Sequence, residues 1–235
     1  MPKSDSLRRA KLLTPAHEDY LKAIYTLGAQ GEAVSNSALA HHLGVAPASA
    51  TNMVKKLADL GLVEYAPYQD MALTPDGEKV ALEVLRHHRL LELYLHDKLN
   101  LPWDQVHDEA ERLEHVISEM LEDAIAVALN NPRVDPHGDP IPTKDGKIEQ
   151  TTGIPLSNAA LGQPYHVLRV LLQDADRLVY LGAMGLYPNA TVTVLKRAPF
   201  AGPLLVEVAG EHHALAYDLA EVLIVAEQQI DRTAG

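Results

Sequence analysis

The stretch SNSALAHHLGVAPASATNMVKKLADLG, from Ser35 to Gly61, decides how the N-terminal part of the chain folds. Ser35 to Leu43 reads as a short helix with Ala38, Leu39 and Leu43 turned inward. Gly44-Val45 marks a turn. Ala46-Pro47 opens a second helix, running through Met53, Val54 and Leu57 to Leu60, and Gly61 closes it. Short helix, glycine turn and second helix make a helix-turn-helix. Leu62–Tyr65, a turn over Pro67–Asp70 and Met71–Leu73 follow as strand, turn and strand, the form of a wing. Upstream, Thr14-Pro15 starts a helix, with Thr as N-cap and Pro at the first helical position. It runs to about Leu27 and ends in a Gly28–Gly31 turn; residues 1–13 read as a basic arm.

In such a motif the second helix sets its first side chains on base edges. Here these are Pro47, Ala48, Ser49, Thr51 and Asn52, with Lys55 and Lys56 placed for phosphates. The tip has no Arg or Gln, so shape and phosphate contacts carry much of the expected readout. The net charge of −12 argues against indiscriminate nucleic-acid binding. It is unevenly placed: residues 1–75 balance 7 basic against 7 acidic groups, whereas residues 76–150 carry 8 against 17. A DNA reader whose acid lies in another domain fits that distribution. The chain has no cysteine, which excludes disulfides and thiolate metal sites. A metal site must then use oxygen and imidazole, donors that suit manganese, iron(II), cobalt or zinc. No apolar run reaches 18 residues and the N-terminus lacks a secretory h-region, so a cytoplasmic protein that does not enter membranes is expected.

Thr74-Pro75 starts a long helix to about Leu99, broken by Asn100–Pro102, with His88 and Glu92 one turn apart. A further helix runs from Trp103-Asp104 to about Leu129 and continues or kinks near Ser118. On it His107, Glu111, Glu114 and His115 fall on one arc, and Val106, Ala110, Leu113, Val116, Ile117 and Met120 on another. A polar arc of this kind is more often a solvated face than a cation site. With partners elsewhere, two groups form: His88, Glu92 and His107, and Asp19, Glu111, Glu114 and His115. For Asp19 the plainer role is a first-turn acid that favours the helix dipole. Apolar residues on several sides of these helices point to a dimer interface. Asn130–Pro155, rich in Pro and Gly, reads as a linker, with His137 a solvent-exposed loop residue. Five short strands and a helix over about Asp176–Leu181 then suggest a small SH3-like barrel with no catalytic motif. A di-metal oxidase needs Glu-x-x-His on two helices, a pattern Glu111 and Glu114 break. A winged-helix regulator indifferent to metal is the other alternative. The expected fold is mainly α with a small β-barrel. Its parts are a winged helix-turn-helix (1–74), a helical metal-binding and dimerisation domain (75–130), a Pro-rich linker (131–156) and an SH3-like domain (157–228).

Five words of sequence carry a resemblance: Glu18-Asp-Tyr-Leu-Lys-Ala-Ile-Tyr25, His88-Arg-Leu-Leu-Glu92, Val106-His-Asp-Glu-Ala110, Glu114-His115 and Gly138-Asp-Pro-Ile-Pro142. In this order they resemble the diphtheria toxin repressor family of iron- and manganese-dependent transcription regulators, over nearly the whole chain. The C-terminal part is similar to the FeoA-like SH3 domain of the family's longer members. The resemblance implies a homodimeric repressor of metal-homeostasis genes that binds palindromic double-stranded operator DNA under control of Mn(II) or Fe(II). It assigns Asp19, Glu111, Glu114 and His115 to a primary metal site and His88, Glu92 and His107 to an ancillary one. The iron branch has Met and Cys where this chain has Asp19 and Glu111, and the manganese branch has Asp and Glu. Carboxylates harden the site toward manganese. Two positions depart from the pattern. Lys22, a cation, stands where binuclear members have a Glu. Of the nearest matches to ligands lent by the SH3 domain, Asp174 can serve and Arg177 cannot.

Overall fold

The structure, a computed structural model, describes residues 13–29, 31, 34–66, 69–149 and 152–227. The basic arm up to residue 12, and Pro67 and Tyr68 of the wing turn, lie outside the described residues. The chain forms two compact units: Met1–His88 with Arg112–Ser118 and Pro142–Lys147, and Arg89–Glu111 with Glu119–Ile141 and Ile148–Gly235.

The first unit holds α1 (Pro15–Ala29), α2 (Asn36–His42), α3 (Pro47–Asp59), β1 (Val63–Glu64), β2 (Ala72–Leu73) and the start of α4 (Pro75–Leu99). Ser35 caps α2 by accepting from Ala38 N, 3.1 Å, and Gly44 takes φ +64° in the turn before α3. β1 and β2 pair antiparallel, Val63 opposite Leu73, and make the wing. Thr74 ties the wing to α4: its hydroxyl donates to Gly61 O and accepts from Gly77 N. Leu21, Leu39, Val54 and Leu57 are fully buried and join Ile24 and Val63 in one core. Each such leucine contributes about 1.5–3 kcal/mol of burial free energy.

The second unit holds the rest of α4, most of α5 (Val106–Leu113), α6 (Glu119–Ala128) and the C-terminal β-sheet domain. That domain contains β3 (Ile154–Pro155), β4 (Pro164–Val170), α7 (Ala175–Ala183), β5 (Thr191–Arg197), β6 (Leu204–Val208), β7 (Glu211–Leu215), α8 (Tyr217–Val222) and β8 (Leu223–Glu227). The six strands run in the order β3-β8-β4-β5-β6-β7, all antiparallel. This corrects the expected barrel: the sheet is open, with β3 and β7 at its edges. β3 is two residues long and ends in Pro155, which has no N–H to continue a ladder. Alternation along β4 to β6 places Val167, Val170, Val192, Val194, Leu204 and Val206 in the core.

Two other expectations change. The helix carrying His107 ends at Leu113, and Glu114–Val116 form a turn closed by Val116 N donating to Leu113 O, 3.1 Å. Glu114 and His115 therefore do not continue the helical arc; of the apolar arc, Val106 and Ala110 are buried, but Val116 and Met120 are 75% and 81% exposed. Residues 133–141, read as linker, are folded. Asp135 Oδ1 accepts from His137 N and Asp139 N, and Ile141 N donates to Arg133 O. Gly138 takes φ +85°, where a Cβ would overlap the Leu168 carbonyl. His137 is 2% exposed and not a surface residue.

Candidate metal centre

Within the first unit, α1 meets the turn after α5. Asp19, Glu114 and His115 each offer a ligand atom, all within 4.8 Å of one another. His115 Nε2 lies 2.8 Å from Asp19 Oδ1 and 3.4 Å from Glu114 Oε1, and His115 Nδ1 lies 2.6 Å from Glu18 Oε2. Two carboxylate oxygens and an imidazole nitrogen are a donor set that fits a hard or borderline divalent cation. Glu114 is 1% exposed. A charge so enclosed is costly unless paired. Lys22 Nζ donates to its Oε1 at 2.7 Å, His88 Nδ1 lies 2.5 Å from its Oε2, and His87 Nδ1 lies 3.2 Å from its backbone carbonyl. Lys22, the departure from the binuclear pattern, thus sits in the site as a fixed positive charge.

Of the sequence-derived ancillary group, His88 belongs to the first unit, and Glu92 and His107 to the second. Inside the second unit His107 Nδ1 is 3.1 Å from Glu92 Oε1, and His107 Nε2 is 3.9 Å from Glu111 Oε1. Glu111 is part of this unit, and Asp174 spends one oxygen capping α7, accepting from Arg177 N at 2.9 Å.

The second unit also assembles Glu92, Asp135 and His137, all buried, with ligand atoms within 4.8 Å. Sequence reasoning missed the last two. The available signal was Asp135-Pro-His137-Gly138, two donor residues two apart before a tight turn. Burial raises the Asp135 carboxyl well above its usual range, and the nearby Asp139 and Glu92 carboxylates raise it further. Burial alone would lower His137, but the Glu92 and Asp135 carboxylates outweigh it and raise the imidazole to about 9. The Trp103 carbonyl lies 2.9 Å from His137 Nε2, and the Trp103 ring stacks on the imidazole at 5.6 Å. The donor set fits a cation that displaces the imidazole proton; without one, the imidazolium supplies positive charge to the same carboxylates.

On α3, Ala50, Val54 and Leu57 are buried, while Pro47, Ala48, Ser49, Asn52, Lys55 and Lys56 are exposed. Thr51 is half-buried, and its hydroxyl donates to Pro47 O at 3.0 Å.

A winged helix with a cluster of hard donors built onto its first helix defines a metal-responsive DNA-binding regulator. Comparison with known proteins gives the family. Residues 12–71 match the iron dependent repressor N-terminal DNA binding domain, residues 74–143 its metal binding and dimerisation domain, and residues 154–227 the FeoA domain. The iron-dependent repressor IdeR of Mycobacterium tuberculosis is 33% identical over 228 residues, covering 91% of this chain and 97% of the relative. The diphtheria toxin repressor of Corynebacterium diphtheriae is 35% identical, covering 92% and 99%. A solved manganese-dependent transcriptional repressor in complex with manganese superposes with a TM-score of 0.83 at 36% identity, covering 90% of this chain and all of that one. The manganese regulator SloR superposes with a TM-score of 0.75 at 31% identity, covering 92% and 100%. The chain belongs to the diphtheria toxin repressor family of metal-dependent transcriptional repressors, and it is a repressor rather than an enzyme. Among the described residues no helix is long and apolar enough to cross a membrane.

Proposed function

We propose that this repressor senses Mn(II), with Fe(II) as the second candidate, and represses metal-uptake genes as a homodimer on a palindromic operator. The observation that carries the reading is the meeting of Asp19, on the first helix of the DNA-binding part, with Glu114 and His115. A cation held by these residues ties the DNA-binding helices to the segment between α5 and α6. The metal-bound dimer then holds its two α3 helices at a fixed half-site spacing. Metal favours the ordered state, so DNA in turn tightens metal binding. Asp19 and Glu111, both carboxylates, favour manganese over the softer-ligand preference of the iron branch. Within the second unit, the ancillary site is centred on Glu92 with His107 and Asp174. Burial of Asp135 and His137 beside Glu92 supports adding them as ligands. Pro47, Ala48, Ser49, Thr51, Asn52, Lys55 and Lys56 form the DNA-reading surface, which agrees with the exposure of six of the seven. Met120, Leu121 and Val127 of α6 are exposed in the single chain and supply an apolar surface for a second copy.

The test is fluorescence anisotropy of a palindromic operator titrated with the chain in Mn(II), Fe(II), Co(II) and Zn(II). Tightening of at least tenfold with Mn(II) is expected. DNA affinity that no metal changes would favour a winged-helix regulator of another signal.

A further inference from the structure

We propose that Glu18 is the positioning residue for His115, accepting the imidazole Nδ1–H and so selecting the tautomer whose Nε2 takes the cation. The inference rests on reading Asp19, Glu114 and His115 as a cation site. Glu18 Oε2 is 2.6 Å from His115 Nδ1, while His115 Nε2 is 2.8 Å from Asp19 Oδ1 and 3.4 Å from Glu114 Oε1. The two ring nitrogens thus face different partners. Nε2 faces the carboxylates with which it forms the ligand cluster, and Nδ1 faces a carboxylate outside that cluster. The two nitrogens of an imidazole point away from each other, so Glu18 cannot share a cation with Nε2.

A neutral imidazole carries one proton, and its hydrogen-bond partners decide which nitrogen holds it. Asp19 and Glu114 are ligands, but they also accept protons, and either can draw the proton onto Nε2 and block it. Glu18 resolves this competition with a short, charge-assisted bond on the other side of the ring. The His115 side chain is only 10% exposed, which leaves little access for water to replace that acceptor. Glu18 and Asp19 are consecutive on α1, so one helix delivers both the ligand and the group that orients its neighbour. A metal-bound histidine commonly donates its second N–H to a carboxylate, and losing that partner typically weakens metal affinity about 10–100-fold.

The test uses the full chain and its Glu18→Met and Glu18→Gln variants. Methionine keeps side-chain length and helix propensity, and glutamine keeps an uncharged acceptor. Long-range 15N–1H NMR of the metal-free, histidine-labelled chain, at a pH where His115 is neutral, reads which His115 nitrogen carries the proton. Paramagnetic resonance of free Mn(II) gives affinity, the Asp19-dependent component being the one that Asp19→Ala removes. The wild type is expected to show Nδ1–H, with Nε2 left bare for the metal. Glu18→Met is expected to mix the tautomers and weaken the Asp19-dependent Mn(II) affinity about 10–100-fold. Glu18→Gln is expected to keep Nδ1–H and lose less. Should Glu18→Met fail to fold, Glu18→Ala takes its place with the same expectation. An unchanged tautomer and affinity in the non-accepting variant would overturn the role of Glu18 alone. A wild-type affinity indifferent to Asp19→Ala would instead overturn the cation site beneath it.

Discussion

Lys22 Nζ lies 2.7 Å from Oε1 of Glu114, a carboxylate whose side chain is fully enclosed. The pair joins α1 to a turn 92 residues further along the chain. Lys22→Met leaves the Glu114 oxygen buried without its cation. A charged group stripped of a buried partner costs about 1–3 kcal/mol or more. Urea denaturation of the metal-free chain should show that loss as a lower midpoint with an unchanged slope. An unchanged midpoint would mean that His88 and the turn satisfy Glu114 by themselves.

Asp19 is the member of the ligand cluster that α1 carries. Asp19→Ala should abolish the metal dependence of operator binding while leaving the weak metal-free affinity in place. Retained Mn(II)-dependent tightening, measured by anisotropy, would remove the coupling of α1 to the turn as the switch.

Lys55 and Lys56 are exposed on the flank of α3. If each meets a phosphate, each substitution by Ala should lower the slope of log affinity against log salt by about 1. It should also weaken specific and random DNA alike. A loss confined to the specific site would reassign that lysine to a base edge.

Gly138 combines φ +85° with backbone contact against Leu168. Gly138→Ala adds a Cβ into the Leu168 carbonyl and strains the backbone as well. A drop in the melting temperature of the second unit is expected, with the Val170 N to His137 O bond, 2.8 Å, losing its hydrogen-exchange protection. Wild-type exchange at Val170 would show that strand β4 yields without cost.

Asp145 is held down to about 2 by its hydrogen bonds from Lys147 and Thr143 and by the Lys147 charge, against an ordinary value of 3.8. A depressed carboxylate stabilises the turn above its unfolded value. That contribution is lost as pH falls through about 2. Lys147→Ala should move the Asp145 midpoint, followed by carboxyl-carbon NMR, up toward 3.8. A midpoint that stays near 2 would leave Thr143 and the backbone N–H as the cause.

Much of this architecture was legible along the chain, because local signals there agree with the fold. Ser35, Gly44 and Pro47 bound α2 and α3 through cap, left-handed turn and fixed φ, effects each residue exerts on its own backbone. Thr74-Pro75 and Asn100 mark both ends of α4 for the same reason, Asn100 taking φ +56°. The alternation in the last third reads as five short strands; the described residues there form six, β3 falling at the end of the stretch read as linker. The break after Leu113 carried no such mark: no Gly or Pro stands between Leu113 and Ser118.

What the sequence determined by itself was most of the elements and the donor types available to them: no cysteine, carboxylates at 19, 111 and 114, imidazoles at 88, 107 and 115. Only tertiary structure decided which donors meet. The turn after α5, gripped through Glu114 by Lys22 and His88, carries His115 to Asp19 and Glu18. A folded loop in place of a linker buries His137 against Trp103 and Glu92. These are contacts between residues tens of positions apart. They are set by burial and by pairing of charges in a low-dielectric interior, neither of which leaves a period or a spacing in the sequence.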